Sequence, residues 1–243
     1  MSALGHYLEA EGIATVAISL VRPQTERTRP PRALWVPFEL GRPFGPPGDP
    51  TFQKRVIVAA LRLLEAPHGP VLLEDFPDDD PRASADPSWR PPLETTVGTG
   101  TPSDLAARLD AEWPQLTGAY DRGRAARGGR TSVGLSGMPI ADAARYVADF
   151  LRGNPVTSPS PDVSPVLMLR WAVDDLKAYY TEAACVGTAR PSSRQLGDWF
   201  WHQTAAGAAL FALRQTHLAS PDDRLKLIAT MFLVPGARVP PTA

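Results

Sequence analysis

Ile13-Ala14-Thr15-Val16-Ala17-Ile18-Ser19-Leu20, entered through Gly12, is the stretch on which the fold turns. It alternates and is rich in β-branched residues, the pattern of a strand. Ahead of it, Leu4, Tyr7 and Leu8 share one face of a short helix over Ser2 to Glu11, and Gly12 supplies the stop. Helix, glycine and strand form the αβ half of a βαβ unit, which ordinarily opens with a strand of its own. None is visible before Ser2, so the chain reads as starting one element late.

Working outward, Val21 to Arg32 holds Pro23, Pro30 and Pro31 and is expected to be a connecting loop. Ala33 to Phe38 is a second buried strand, ended by Pro37. The run Glu39-Leu40-Gly41-Arg42-Pro43-Phe44-Gly45-Pro46-Pro47-Gly48-Asp49-Pro50 then leads into a helix, with Asp49 as N-cap and Pro50 at its first position. Phe52, Val56, Ala59, Ala60, Leu63 and Leu64 give that helix an apolar face, and Val71 to Phe76 is a third strand. Beyond the acidic, proline-rich Pro77 to Pro102, helices are expected over Ser103 to Ala126 (interrupted near Pro114), Ile140 to Arg152, Pro165 to Ala184 and Ser193 to Leu218. A last helix opens at Ser220-Pro221-Asp222-Asp223 and ends before Pro235.

The fold expected is α/β. Residues 1–76 form a small, mainly parallel sheet, a Rossmann/flavodoxin-like half. Residues 77–102 are a Pro/Asp-rich linker or surface excursion, and residues 103–243 a helical C-terminal unit. So small a sheet needs the helical half, a partner subunit or self-association to cover it.

Composition narrows the function classes. With 25 basic against 26 acidic residues the net charge is −1, which offers no global field for nucleic acid or an anionic membrane. No window of eighteen apolar residues occurs, and the N-terminus lacks the basic-then-apolar order of a signal peptide. One cysteine, Cys185, permits no internal disulfide and fits a reducing, cytoplasmic setting. Metal ligand spacing is absent: His202 and His217, on one expected helix, stand about 22 Å apart, too far to share an ion. No metal and no cofactor are expected. Ser136, in Gly134-Leu135-Ser136-Gly137, lacks the spacing of a nucleophile elbow.

The candidate ligand site is the loop Glu39 to Asp49, with Glu39, Gly41, Arg42, Gly45 and Asp49 as its residues. It follows a strand and precedes a helix, where α/β sheets present ligands, and two glycines, an arginine and a helix N-terminus suit a small carboxylate or amino-acid-like ligand. The other reading is a rigid strand-to-helix connector. Cys185, at a helix C-terminus that raises a thiol's pKa, reads as a small core or edge residue. Trp199, Phe200 and Trp201 cannot share one helix face. One tryptophan is therefore expected in the core and another at a surface patch with Arg194 and Asp198, while Asp174, Asp175 and Lys177 read as a solvated face.

The block His6-Tyr7-Leu8-Glu9 through Gly12 to Ile18, with Arg29 to Gly45 and on through Gln53, resembles a protein family related to the selenoprotein B component of glycine, sarcosine and betaine reductase and to D-proline reductase. Pro191-Ser192-Ser193-Arg194-Gln195-Leu196-Gly197-Asp198-Trp199-Phe200-Trp201 is similar to shorter bacterial homologues of that group. The likeness covers residues 5–76 and 164–235. It implies an oxidoreductase-like protein of reductive C–N cleavage, with a selenocysteine or cysteine near the start of the helix after the first strand. Here that helix begins Met1-Ser2-Ala3-Leu4-Gly5, without a cysteine. The likeness thus implies either an upstream strand carrying the nucleophile or a non-catalytic binding or assembly subunit that has lost it. No catalytic residue is assigned.

Overall fold

A computed structural model describes residues 2–66, 71–81, 83–94 and 100–239. The chain divides into two compact units, Met1–Ser84 and Ala85–Ala243.

In the first unit α1 (Ser2–Ala10) runs to Gly12, whose positive φ of 82° lets the Ile13 N–H turn back to the Leu8 carbonyl at 2.9 Å. The unit continues through β1 (Ala17–Ser19), α2 (Arg22–Thr28), β2 (Arg32–Trp35), α3 (Pro50–Arg62), a 3₁₀ turn (Leu63–Glu65) and β3 (Leu72–Asp75). The strands lie in the order β1-β2-β3, all parallel, with Ala17 opposite Ala33 and Ala33 opposite Leu73. The mixed α/β class with a small parallel sheet is therefore observed. Beneath it Phe38, Phe52 and Phe76 meet with ring centroids 5.5–6.0 Å apart, beside Leu34, Val36, Val56 and Ala60.

The stretch Val21 to Arg32 corrects the sequence reading: it holds α2 rather than a loop. Parallel neighbours cannot be joined by a tight turn, so the β1–β2 connection needs a crossover. Pro23 falls in the first helical turn, where its missing N–H is harmless, Arg22 pairs with Glu26, and Arg29 at φ 45° closes the end.

The second unit contains α4 (Pro102–Glu112), a 3₁₀ turn (Trp113–Leu116), α5 (Thr117–Ala126), α6 (Ile140–Arg152), α7 (Pro165–Ala184), α8 (Ser193–Gln203), α9 (Ala205–His217) and α10 (Asp223–Met231). Leu169, Val173 and Leu176 of α7, Leu109 of α4 and Leu210 of α9 are fully buried in its core. Residues 86–93 of the proline-rich stretch belong to this unit. Trp89 donates its indole N–H to the Ala184 carbonyl at 3.1 Å, and Asp86 accepts from the Arg190 N–H at 2.6 Å. The Ser88 hydroxyl and that N–H hold the Asp86 carboxyl down to about 2.

A second correction falls at Thr204. The helix expected from Ser193 to Leu218 is two helices, α8 and α9. Thr204 leaves the helical region (φ −119°, ψ 148°) and caps α9, its hydroxyl accepting the Gly207 N–H at 3.0 Å. Glu112, buried at the end of α4, accepts the Ala205 and Ala206 N–H groups at 2.8 and 3.2 Å and the Tyr180 hydroxyl at 2.8 Å. A carboxylate at a helix N-terminus satisfies donors that would otherwise be orphaned in the core. His202 and His217 consequently lie on different helices. Trp199, Phe200 and Trp201 are all buried, because α8 packs against both α7 and α9, so the expected surface tryptophan is absent and Asp198 pairs with Arg238.

Candidate functional site

The loop Glu39 to Asp49 leaves the carboxyl end of β2, where the sequence placed it. Several of its groups are engaged within the loop. The Arg42 N–H donates to the Glu39 carbonyl and the Gly45 N–H to the Arg42 carbonyl, both at 3.0 Å. Gly41 and Gly45 take positive φ values of 89° and 82°, and a Cβ on Gly45 would stand 2.5 Å from the Phe52 ring, so close aromatic packing explains that glycine. Arg42 and Glu39 are half-exposed and 3.8 Å apart. Asp49 spends its carboxylate on the Phe52 N–H, 2.9 Å away, as cap of α3. Among the described residues the strand order β1-β2-β3 runs monotonically, without the reversal that opens a ligand crevice in larger parallel sheets.

The helical unit holds a cleft of its own. Asp175, expected to be solvated, is 1% exposed. Its carboxylate accepts the N–H groups of Gly134, Leu135 and Ser136 at 2.7, 2.8 and 2.9 Å and the Ser136 hydroxyl at 2.5 Å. Three successive amides converging on one carboxylate form an anion nest, and Gly134 and Gly137, at φ 126° and 71°, let the backbone adopt it. Ser136 is a structural donor there. The nest fixes Leu135 as one wall of a groove of about 530 Å³ between α7 and α10.

That groove is walled by Val166, Leu167, Trp171, Leu227, Ile228 and Phe232, and its polar lining includes Arg170, Asp174 and Arg224. Arg170 pairs with Asp174 and lies 4.8 Å above the Phe232 ring, and desolvation lowers its pKa. One turn on, the Lys177 ammonium donates to the Phe232 carbonyl at 2.9 Å and stands 3.8 Å from Asp174. Burial first, and the Arg170 charge second, push Lys177 down from 10.5 to about 8. Helix α10 is apolar on two faces: Leu225, Ile228 and Ala229 enter the core, while Leu227 and Met231 are 57% and 63% exposed. Sequence reasoning missed this site. Its available signal was the spacing Arg170, Asp174, Lys177, which repeats at helical intervals beside apolar residues α10 does not need for its core face.

Cys185 caps the C-terminal end of α7 and is exposed. Its thiol is pushed up chiefly by desolvation, against Arg127 and Arg190, which is contrary to nucleophile activation. Among the described residues no group of three His, Cys, Asp or Glu side chains is placed to hold a metal, and no helix is long and apolar enough to cross a membrane. His68 lies outside the described residues.

The chain matches no protein-family model, no curated protein and no solved structure.

Proposed function

We propose that this chain is a non-catalytic binding protein whose ligand occupies the α7–α10 groove of the helical unit. The observation that carries the reading is the groove itself: about 530 Å³, mostly apolar walls and a few convergent polar groups. That is the size and make-up of a small-molecule pocket. Its rigid support, the buried Asp175 nest, suits a preformed site. Titration with a hydrophobic fluorescent dye tests it. Saturable one-to-one binding that weakens at least tenfold in Leu227→Asp, with an unchanged melting temperature, is the expected result. Binding indifferent to that substitution would overturn the assignment.

The second reading is an oxidoreductase-like protein of the glycine, sarcosine, betaine and D-proline reductase group. It is supported by the residue likeness and by a β1-α2-β2-α3-β3 order that suits a Rossmann/flavodoxin-like half. In it a small carboxylate would lie against Glu39, Gly41, Arg42, Gly45 and Asp49. Reductive C–N cleavage would then need a thiol or selenol from a partner subunit, since Cys185 is poorly activated. A cytoplasmic setting belongs to both readings, supported by the single cysteine. Substrate-dependent reduction of glycine, betaine, sarcosine or D-proline by the chain with a dithiol would favour this reading over the first.

A further inference from the structure

We propose that the α7–α10 groove selects amphipathic monocarboxylates, an apolar chain or ring bearing one terminal carboxylate, with Arg170 and Arg224 as the head-group contacts. The proposal rests on the binding reading above and specifies its ligand.

The walls set the body of the ligand. Leu167, Leu227 and Phe232 are large and apolar yet 40%, 57% and 42% exposed, so filling the groove removes apolar surface from water. The charges set its head. Any occupant also covers Arg170, which is already partly desolvated and carries Phe232 against one face. Its Nη1 is buried against Asp174 in an ion pair. Covering the exposed Arg224 guanidinium without giving it an acceptor costs free energy. A neutral hydrocarbon or a cation therefore meets a penalty that an oxygen anion removes.

The charge count favours a monoanion. Two guanidiniums and one carboxylate line the groove, an excess of one positive charge. A single carboxylate balances the charge of the lining. Among the described residues Arg224 has no ion pair and is exposed, so it can turn its planar fork to a carboxylate.

The experiment is competitive displacement of the bound dye by decanoate, decanamide and decylammonium, below their aggregation concentrations, on wild type and on Arg224→Gln. Sedimentation is followed in parallel. Decanoate is expected to displace the dye at least tenfold more effectively than decanamide, and decylammonium least. Arg224→Gln should cut the preference for decanoate about fivefold and leave decanamide unchanged. Equal displacement by decanoate and decanamide overturns the head-group assignment while leaving the binding reading intact. Failure of the dye and every probe to bind a folded wild type overturns both. Concentration-dependent dimerisation that excludes the dye assigns the groove to a second copy of the chain and also overturns the proposal.

Discussion

Two glycine-bearing loops, Glu39 to Asp49 in the α/β unit and Gly134 to Gly137 in the helical unit, invite opposite readings from sequence and from structure. The first is conspicuous, dense in glycine, proline and charge, and sits at the carboxyl end of a strand. Two of its amides, those of Arg42 and Gly45, nevertheless close on its own carbonyls, Glu39 pairs with Arg42, and Asp49 caps the next helix. The second is short and unremarkable, yet its amides converge on a buried carboxylate and place Leu135 in the wall of a cleft. What differs is where the polar groups are satisfied. A loop that satisfies itself is a connector. A loop satisfied from a distant helix becomes a fixed wall, because moving it would strand a charge in the core.

The comparison breaks most directly at Asp175. Replacing it by Ala leaves three loop amides and the Ser136 hydroxyl without their acceptor. Asp175→Ala is expected to lose about 3–5 kcal/mol in chemical denaturation, together with dye binding, since Leu135 is released. Asp175→Asn keeps one acceptor oxygen and should fall between. A loss below about 1 kcal/mol would mean that the nest does not anchor the loop.

Lys177 sharpens the same contrast through pH. Its pKa is lowered from 10.5 to about 8, chiefly by burial. The folded chain thus holds fewer protons than the unfolded one between these values, and native stability rises with pH across that window. Below pH 8 the lysine is protonated in both states, and the burial penalty, on the order of 3 kcal/mol, is fully present. Lys177→Met should therefore be more stable than wild type at pH 7 by about 1–3 kcal/mol, allowing for the lost Phe232 carbonyl contact. The advantage should shrink toward pH 10.5. Parallel stability curves for the two proteins from pH 7 to 10 would contradict a desolvated lysine there.

The smallest effects belong to the conspicuous loop. Asp49→Ala should cost about 1 kcal/mol, an ordinary N-cap loss. Arg42→Ala should change stability by no more than about 0.5 kcal/mol, because its partner Glu39 is 3.8 Å away and both are exposed. Calorimetric binding of glycine, betaine or D-proline that disappears in Arg42→Ala would reverse the ranking of the two loops.

The sequence by itself determined the local elements. The Asp49-Pro50 start and the apolar face of α3 are properties of neighbouring residues, and the structure has both; of the strand expected over Ile13 to Leu20 it has only Ala17–Ser19. Helix α2 was hidden because three prolines imply a loop, although only Pro23 falls within the helix, in its first turn. What the tertiary structure alone decided is where side chains end. The break at Thr204 depends on Glu112, 92 positions earlier, reaching the start of α9. Asp175 looks like Asp174 in sequence, yet one is sealed in a nest and the other lines a groove. Periodicity assigns a residue to a helix face. Whether that face meets water, a loop or another helix is fixed by long-range packing, and with it whether a charge is solvated, structural or poised for a ligand.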